Sequence, residues 1–79
     1  MSSIKSFSQP DNESVKLAAT TLILASGCTT TLEVKLYLRK HGYQALQKII
    51  SKKMREVAQE EGWITVDNGQ FFIYTFLPL

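Results

Sequence analysis

The chain has 79 residues, of which 44% are hydrophobic and 20% charged, a composition typical of one small globular domain. Its single cysteine, Cys28, cannot form an internal disulfide and has no Cys or His partner at metal-ligand spacing, which excludes a zinc finger. We therefore expect a cytoplasmic domain that holds neither a metal nor a cofactor and does not enter a membrane.

The formal net charge is only +2, but the charges are unevenly distributed along the chain. Seven basic side chains, one histidine and no acid lie between residues 34 and 55, whereas Glu56, Glu60, Glu61 and Asp67 all follow. A basic block in a nearly neutral chain predicts a localised site for a polyanion, and a solvated helical surface is the alternative.

The first predicted element is a helix that follows a serine-rich segment. Residues 1–10 are expected to form a flexible arm, and residues 11–79 to form the folded domain. Asp11 or Asn12 can cap a helix that runs to about residue 26, where Gly27 provides a C-terminal stop.

This first helix has apolar residues on two sides. Leu17 and Leu24 lie a heptad apart, opposite the apolar side that begins at Val15, and the chain also ends in an apolar tail. Two apolar surfaces without a partner predict a homodimer held by Leu17, Leu24, Leu77 and Leu79. The alternative is that the tail folds back on Leu17 and Leu24 within one subunit.

A capping box predicts a second helix over residues 31–41. In such a box the Thr30 hydroxyl accepts the Glu33 amide proton, and the Glu33 side chain reaches back to the Thr30 amide. Lys35 and Arg39, four residues apart, would share the exposed edge of this helix.

The third predicted helix spans about Ala45 to Glu61 and is the cleanest amphipathic segment of the chain. At 100° per residue its apolar side chains converge on one face, comprising Leu46, Ile49, Ile50, Met54 and Val57. The opposite face is polar and carries Gln44, Lys48, Ser51, Lys52, Arg55 and Gln59. Lys53 falls within the apolar arc, so its ammonium group must extend out of it.

After the third helix the apolar side chains recur every second residue, which predicts a β-hairpin of residues 63–67 and 70–74 around Asn68-Gly69. Both turn residues would take positive φ, and Asp67 would pair with Gln70. This register places four apolar side chains over the helices, namely Ile64, Val66, Phe71 and Ile73. The other face would expose Trp63, Phe72 and Tyr74, which could stack on bases but more often close a core edge or a subunit contact.

This order of elements over residues 12–76 resembles the winged helix-turn-helix superfamily. Residues 51–64, followed by Asp-Asn-Gly and an apolar strand, are similar to its recognition helix and wing, and residues 30–35 resemble the start of its second helix. The resemblance implies an α+β fold of three helices with a C-terminal β-hairpin, and binding of double-stranded DNA. The third helix is about one turn longer than usual, and the wing tip carries Asp67 without a basic residue.

The resemblance and the basic block together predict a transcriptional regulator or an accessory factor of a phage or mobile element. Residues in or near the third helix would enter the major groove, namely Gln44, Gln47, Lys48, Ser51, Lys52 and Arg55. Lys35, Arg39 and Lys40 would contact the flanking backbone. The alternative is a protein-interaction winged helix, such as an inhibitor of host machinery, that uses the hairpin aromatics. No phosphate loop or catalytic set is present, so we expect no enzymatic activity.

Overall fold

The computed structural model describes residues 9–76, in which three helices pack beside a three-stranded antiparallel sheet. The elements are α1 (Asn12–Ser26), β1 (Thr29–Thr30), α2 (Thr31–Lys40), α3 (Gln47–Glu61), β2 (Ile64–Asp67) and β3 (Phe72–Thr75). The fold class is therefore α+β, as predicted. None of the helices in this part of the chain is long and apolar enough to cross a bilayer.

The bounds predicted for α1 are confirmed. Both ends of this helix are set by neighbouring residues. The Asp11 carboxylate accepts a hydrogen bond from the Ser14 amide at 2.9 Å, and the helix ends where Gly27 adopts a φ of 91°. Pro10, the last residue of the expected arm, is fully buried.

The capping box predicted at the start of α2 is half confirmed. The Thr30 hydroxyl accepts the Glu33 amide proton at 3.3 Å. The Glu33 carboxylate, however, accepts a hydrogen bond from the Thr29 hydroxyl at 3.1 Å instead of one from the Thr30 amide. The reason is that residues 29 and 30 form strand β1, which holds Thr29 beside the first turn of the helix.

Helix α3 begins at Gln47, two residues later than predicted, and Leu46 occupies its N-cap position. Leu46 was expected in the apolar face of α3 but is 42% exposed, whereas Ala45 is fully buried in the core. Arg39 contributes to this arrangement, because its Nε donates a hydrogen bond to the Ala45 carbonyl oxygen at 3.0 Å. The expectation for Leu46 is therefore wrong, and the connection between α2 and α3 turns Ala45 inward in its place.

The predicted register of the hairpin is also wrong. Asp67 pairs with Phe72 instead of Gln70, so the connection contains four residues, 68–71, and not two. Asn68 does not have positive φ. Its side-chain oxygen instead accepts hydrogen bonds from the amides of Gln70 and Phe71 at 3.0 and 2.9 Å, which stabilises a wider loop.

Two aromatic residues do not lie where they were expected, although a shift of two residues leaves Tyr74 on the same face of the hairpin as Thr65. Tyr74, expected on the outer face of the sheet, is fully buried, and Phe71, expected over the helices, lies in the exposed loop. Strand β3 is central in the sheet because β1 pairs with its second edge, where Thr29 lies opposite Tyr74. Burial raises the pKa of the Tyr74 hydroxyl, and the nearby Thr31 side chain offsets part of that rise.

The core lies between the three helices, with Tyr74 contributed from the sheet. Helix α1 supplies four small or branched side chains, and α3 supplies three from its predicted apolar face together with Ala58. The buried hydrophobic residues are Val15, Ala18, Ala19, Ile23, Val34, Leu38, Ala45, Ile50, Met54, Val57, Ala58 and Tyr74. Trp63 and Phe76 pack against the edge of this core with their ring centroids 5.5 Å apart.

Candidate nucleic-acid interface

The outward side of α3 carries the residues that we call the basic face: Lys48, Ser51, Lys52 and Arg55. They recur at intervals of three and four residues, which places them on one side of a helix. Lys48, Lys52 and Arg55 are exposed, and Ser51 is partly buried. The opposite side of the same helix is buried in the core.

The cations of the basic face are not neutralised within the part of the chain that the structure describes. The ion pair found there joins Lys16 and Glu61 at 3.2 Å, away from this face. The Arg55 guanidinium donates one hydrogen bond to the Ser51 hydroxyl at 3.1 Å. Because a guanidinium group has five N–H donors, Arg55 can keep this contact and still bind a phosphate or a guanine edge.

Lys53 lies apart from the basic face, as its position in the apolar arc predicts. It is partly buried, and its ammonium group donates a hydrogen bond to the Asn12 side-chain oxygen at 3.3 Å. The Asn12 amide in turn donates to the Glu56 carboxylate at 3.3 Å. Lys53 therefore joins α3 to the start of α1 and is not part of the candidate interface.

The three basic residues predicted to contact the DNA backbone from α2 occupy different environments. Arg39 is exposed, but it also holds the α2–α3 connection through its bond to Ala45. Lys40 lines a surface groove with Glu33 and Leu36 on the side of α2 that faces α1, and Lys35 is partly buried. The structure therefore does not gather all three beside the basic face.

The two glutamines predicted to reach bases lie at the start of α3. Gln44 is exposed in the connection before the helix, and Gln47 is the first helical residue. Gln47 lines a groove of about 320 Å³ whose walls include Leu32 from α2 and Phe71 from the hairpin loop. Sequence reasoning did not select Leu32 or Phe71 as site residues, because only the folded chain brings them to Gln47.

The hairpin borders the other end of the basic face. A groove of about 250 Å³ runs between α3 and the sheet, lined by Arg55, Gln59, Trp63 and Phe72, among others. At the tip, the Asp67 carboxylate accepts a hydrogen bond from the Gly69 amide at 2.8 Å. The acidic group thus stabilises the loop, and the tip presents no cation to a phosphate.

Helix α1 presents the second feature predicted as an interface. Leu17 is 68% exposed and Leu24 is 74% exposed. Leu17 also lines a groove of about 300 Å³ between α1 and α2, beside Tyr37 and Tyr43. Leu77 and Leu79, the other residues predicted at the dimer interface, lie outside the described residues.

Comparisons of this chain with family models, curated proteins and solved structures found no match. Within residues 9–76, no group of three or more His, Cys, Asp or Glu side chains is placed to hold a metal ion. The function is therefore inferred from the placement of the chain's own residues.

Proposed function

We propose that this chain is a small double-stranded DNA-binding protein of the winged helix-turn-helix kind, with α3 as its recognition helix. The observation that carries the proposal is the basic face of α3, on which Lys48, Lys52 and Arg55 are exposed without a described acidic partner. Unneutralised cations on one side of a helix suit the phosphates that flank the major groove.

The arrangement of elements supports this reading. Helices α2 and α3 are consecutive and joined by a short connection, and the two strands that follow α3 form a hairpin. The short strand β1, between α1 and α2, completes the sheet in the order β1-β3-β2. Helix α3 has 15 residues, which is about 22 Å of length at the standard helical rise. An element of this size and charge can lie in a major groove about 12 Å wide.

A second candidate is a protein-interaction domain that uses the hairpin. The observation that favours it is the exposure of Phe71 and Phe72, two adjacent aromatic residues at the loop and the first position of β3. Exposed aromatic residues are frequent at the centres of protein interfaces. The basic face gives the DNA-binding proposal precedence, because it has the charge that a polyanion requires.

The experiment that separates the two is a salt titration of binding to random-sequence duplex DNA, followed by fluorescence anisotropy. DNA binding through the basic face predicts that log K falls with log salt by about 0.9 for each phosphate neutralised. Absence of binding at low salt would reject the DNA proposal and leave the protein-interaction candidate.

Lys52→Glu combined with Arg55→Glu is expected to abolish duplex binding with an unchanged circular dichroism spectrum, because both side chains point away from the core. The matched control is Lys35→Glu combined with Lys40→Glu, which changes the net charge equally but on α2. We expect the control to bind with a smaller loss of affinity. Equal losses in the two variants would show that overall charge, and not α3, determines binding.

A further inference from the structure

The groove at the N-terminal end of α3 combines apolar walls with a single amide side chain. It has a volume of about 320 Å³, and its lining comprises Thr30, Thr31, Leu32, Gln47 and Phe71. Leu32 is 51% exposed and Phe71 is 48% exposed, although they come from different elements. Folding thus leaves two large, half-exposed apolar side chains in one groove with a glutamine.

This combination matches the edge that an A·T base pair presents in the major groove. Adenine offers the N7 acceptor and the N6 donor, which a glutamine amide can bind together, and thymine offers its C5-methyl group, which favours apolar contacts. A G·C pair has no methyl group and a different pattern of donors and acceptors.

The charges around the groove favour a nucleic acid as its occupant. Gln47 lies one helical turn before Ser51 on the same side of α3, so the groove adjoins the basic face. Glu33, the acidic residue next to Leu32, accepts a hydrogen bond from the Thr29 hydroxyl. It lines a different groove, the one between α2 and α1. The described lining of the groove itself carries no carboxylate, and the basic face beside it is complementary to a phosphate backbone.

We propose that this groove reads an A·T base pair, with Gln47 on the adenine and the thymine methyl group between Leu32 and Phe71. The proposal rests on the proposed function, because it requires α3 to lie in the major groove of duplex DNA. It makes Gln47, Leu32 and Phe71 the residues that determine sequence preference, and leaves the basic face to supply affinity.

The test measures binding of the whole chain to three duplex copolymers at one salt concentration: poly(dA-dT), poly(dA-dU) and poly(dG-dC). Uracil lacks the methyl group, so poly(dA-dU) isolates that contact. We expect poly(dA-dT) to bind about fourfold more tightly than poly(dA-dU), which corresponds to the burial of one methyl group. We expect poly(dG-dC) to bind about tenfold more weakly than poly(dA-dT), or weaker still.

Single-residue variants test which side chains cause the preference for A·T over G·C and which cause the response to the methyl group. Gln47→Ala should remove most of the preference for poly(dA-dT) over poly(dG-dC) while the response to the methyl group remains. Leu32→Ala and Phe71→Ala should each reduce the difference between poly(dA-dT) and poly(dA-dU), and both side chains are exposed enough for the fold to tolerate the change. Gln59→Ala, an exposed glutamine near the other end of α3, is the control and should leave both ratios unchanged.

The outcomes distinguish this proposal from the one on which it rests. Equal affinity for the three copolymers would overturn the reading of an A·T pair and leave duplex binding standing. A preference for poly(dA-dT) that survives unchanged in Gln47→Ala would also overturn it, since DNA shape alone would then explain the preference. No binding to any copolymer would reject the proposed function itself, and this inference with it.

Discussion

Helices α1 and α3 have the same length and the same number of buried residues, yet their outward faces differ. Each has 15 residues, of which four are buried in the core. The outward side of α3 carries lysine and arginine, whereas the outward side of α1 carries Leu17 and Leu24. Packing of the core explains the inner faces of both helices. We propose that the outer faces serve separate interactions, α3 with a polyanion and α1 with an apolar partner.

Polar contacts fix the two helices relative to each other. Asn12 at the start of α1 bonds to both Lys53 and Glu56 of α3. One turn further along α1, Lys16 forms an ion pair with Glu61, the last residue of α3. A partner bound to the leucines of α1 would therefore also set the position of α3. If that partner is a second copy, two basic faces are held at a defined separation, which predicts a palindromic binding site.

The largest effect expected from this comparison concerns assembly. We expect the chain to be a dimer at micromolar concentration, with twice its mass of 8.9 kDa by light scattering. Leu17→Glu combined with Leu24→Glu should halve that mass, because charges in an apolar interface lose their hydration. Both side chains are mainly exposed within one chain, so the variant should keep the helical content of the original.

The control for this prediction is Leu36→Glu combined with Leu46→Glu, which changes two exposed leucines on α2 and at the start of α3. This variant should remain dimeric. A mass of 8.9 kDa for the unmodified chain would contradict the dimer. A dimer that persists in Leu17→Glu with Leu24→Glu would place the interface on another surface.

The second prediction concerns the C-terminal ends of the two helices, where they are alike. Gly27 after α1 has a φ of 91°, and Gly62 after α3 has a φ of 72°, both in the left-handed region. Open space surrounds each position, so an alanine there is disfavoured by its backbone conformation and not by a clash. Gly27→Ala and Gly62→Ala should each lower the free energy of unfolding by about 1 kcal/mol, measured by urea denaturation.

Gly62→Asn is the matched control for the glycine prediction, because asparagine tolerates the left-handed region better than alanine. It should be less destabilising than Gly62→Ala. If the alanine and asparagine variants were equally stable, backbone conformation would not be the cause of the loss. A much larger loss at Gly27 than at Gly62 would show that the two helix ends do not contribute alike.

The helices could be predicted from the sequence because their signals are local. Asp11, Gly27 and Gly62 mark helix ends through their own conformational preferences, and helical periodicity alone places Lys48 and Lys52 on one side of α3. None of these inferences requires knowledge of a distant residue. The bounds of the helices are accordingly predicted to within two residues. Leu46 is an exception in the predicted apolar face of α3, because it lies exposed.

The existence of the hairpin could be predicted in the same way, but the third strand that pairs with it could not. Thr29 pairs with Tyr74 across the sheet, and a strand of two residues leaves no periodic pattern in the sequence. The local signal of Asn68-Gly69 predicts a tight turn, but the side chain of Asn68 stabilises a wider loop that leaves Phe71 outside the sheet. The groove beside Gln47 was missed for a related reason, since its walls come from separate elements.

The smallest expected effect concerns the N-terminal ends, where α1 and α3 differ again. Asp11 caps α1 with a carboxylate, whereas Leu46 at the start of α3 makes no side-chain cap. Hydrogen bonds from Ser14 lower the pKa of Asp11 below its ordinary value of 3.8. A lowered pKa in the folded state means that this cap stabilises the fold above pH 3.8. The contribution is lost as the pH falls through the folded pKa.

Asp11→Asn should therefore leave the Tm nearly unchanged at pH 7, because asparagine caps a helix about as well, and should reduce the loss of Tm on acidification below pH 4.

The reciprocal change is Leu46→Asp, which gives α3 the same kind of cap at a residue whose backbone is already extended. It should raise the Tm at pH 7 by a few degrees and lose that gain in acid. Thermal denaturation by circular dichroism from pH 7 to about pH 2 measures both variants. An acid response of Asp11→Asn identical to that of the unmodified chain would show that the cap of α1 does not titrate with folding. A Leu46→Asp variant no more stable than the original would show that the start of α3 is held by its packing alone.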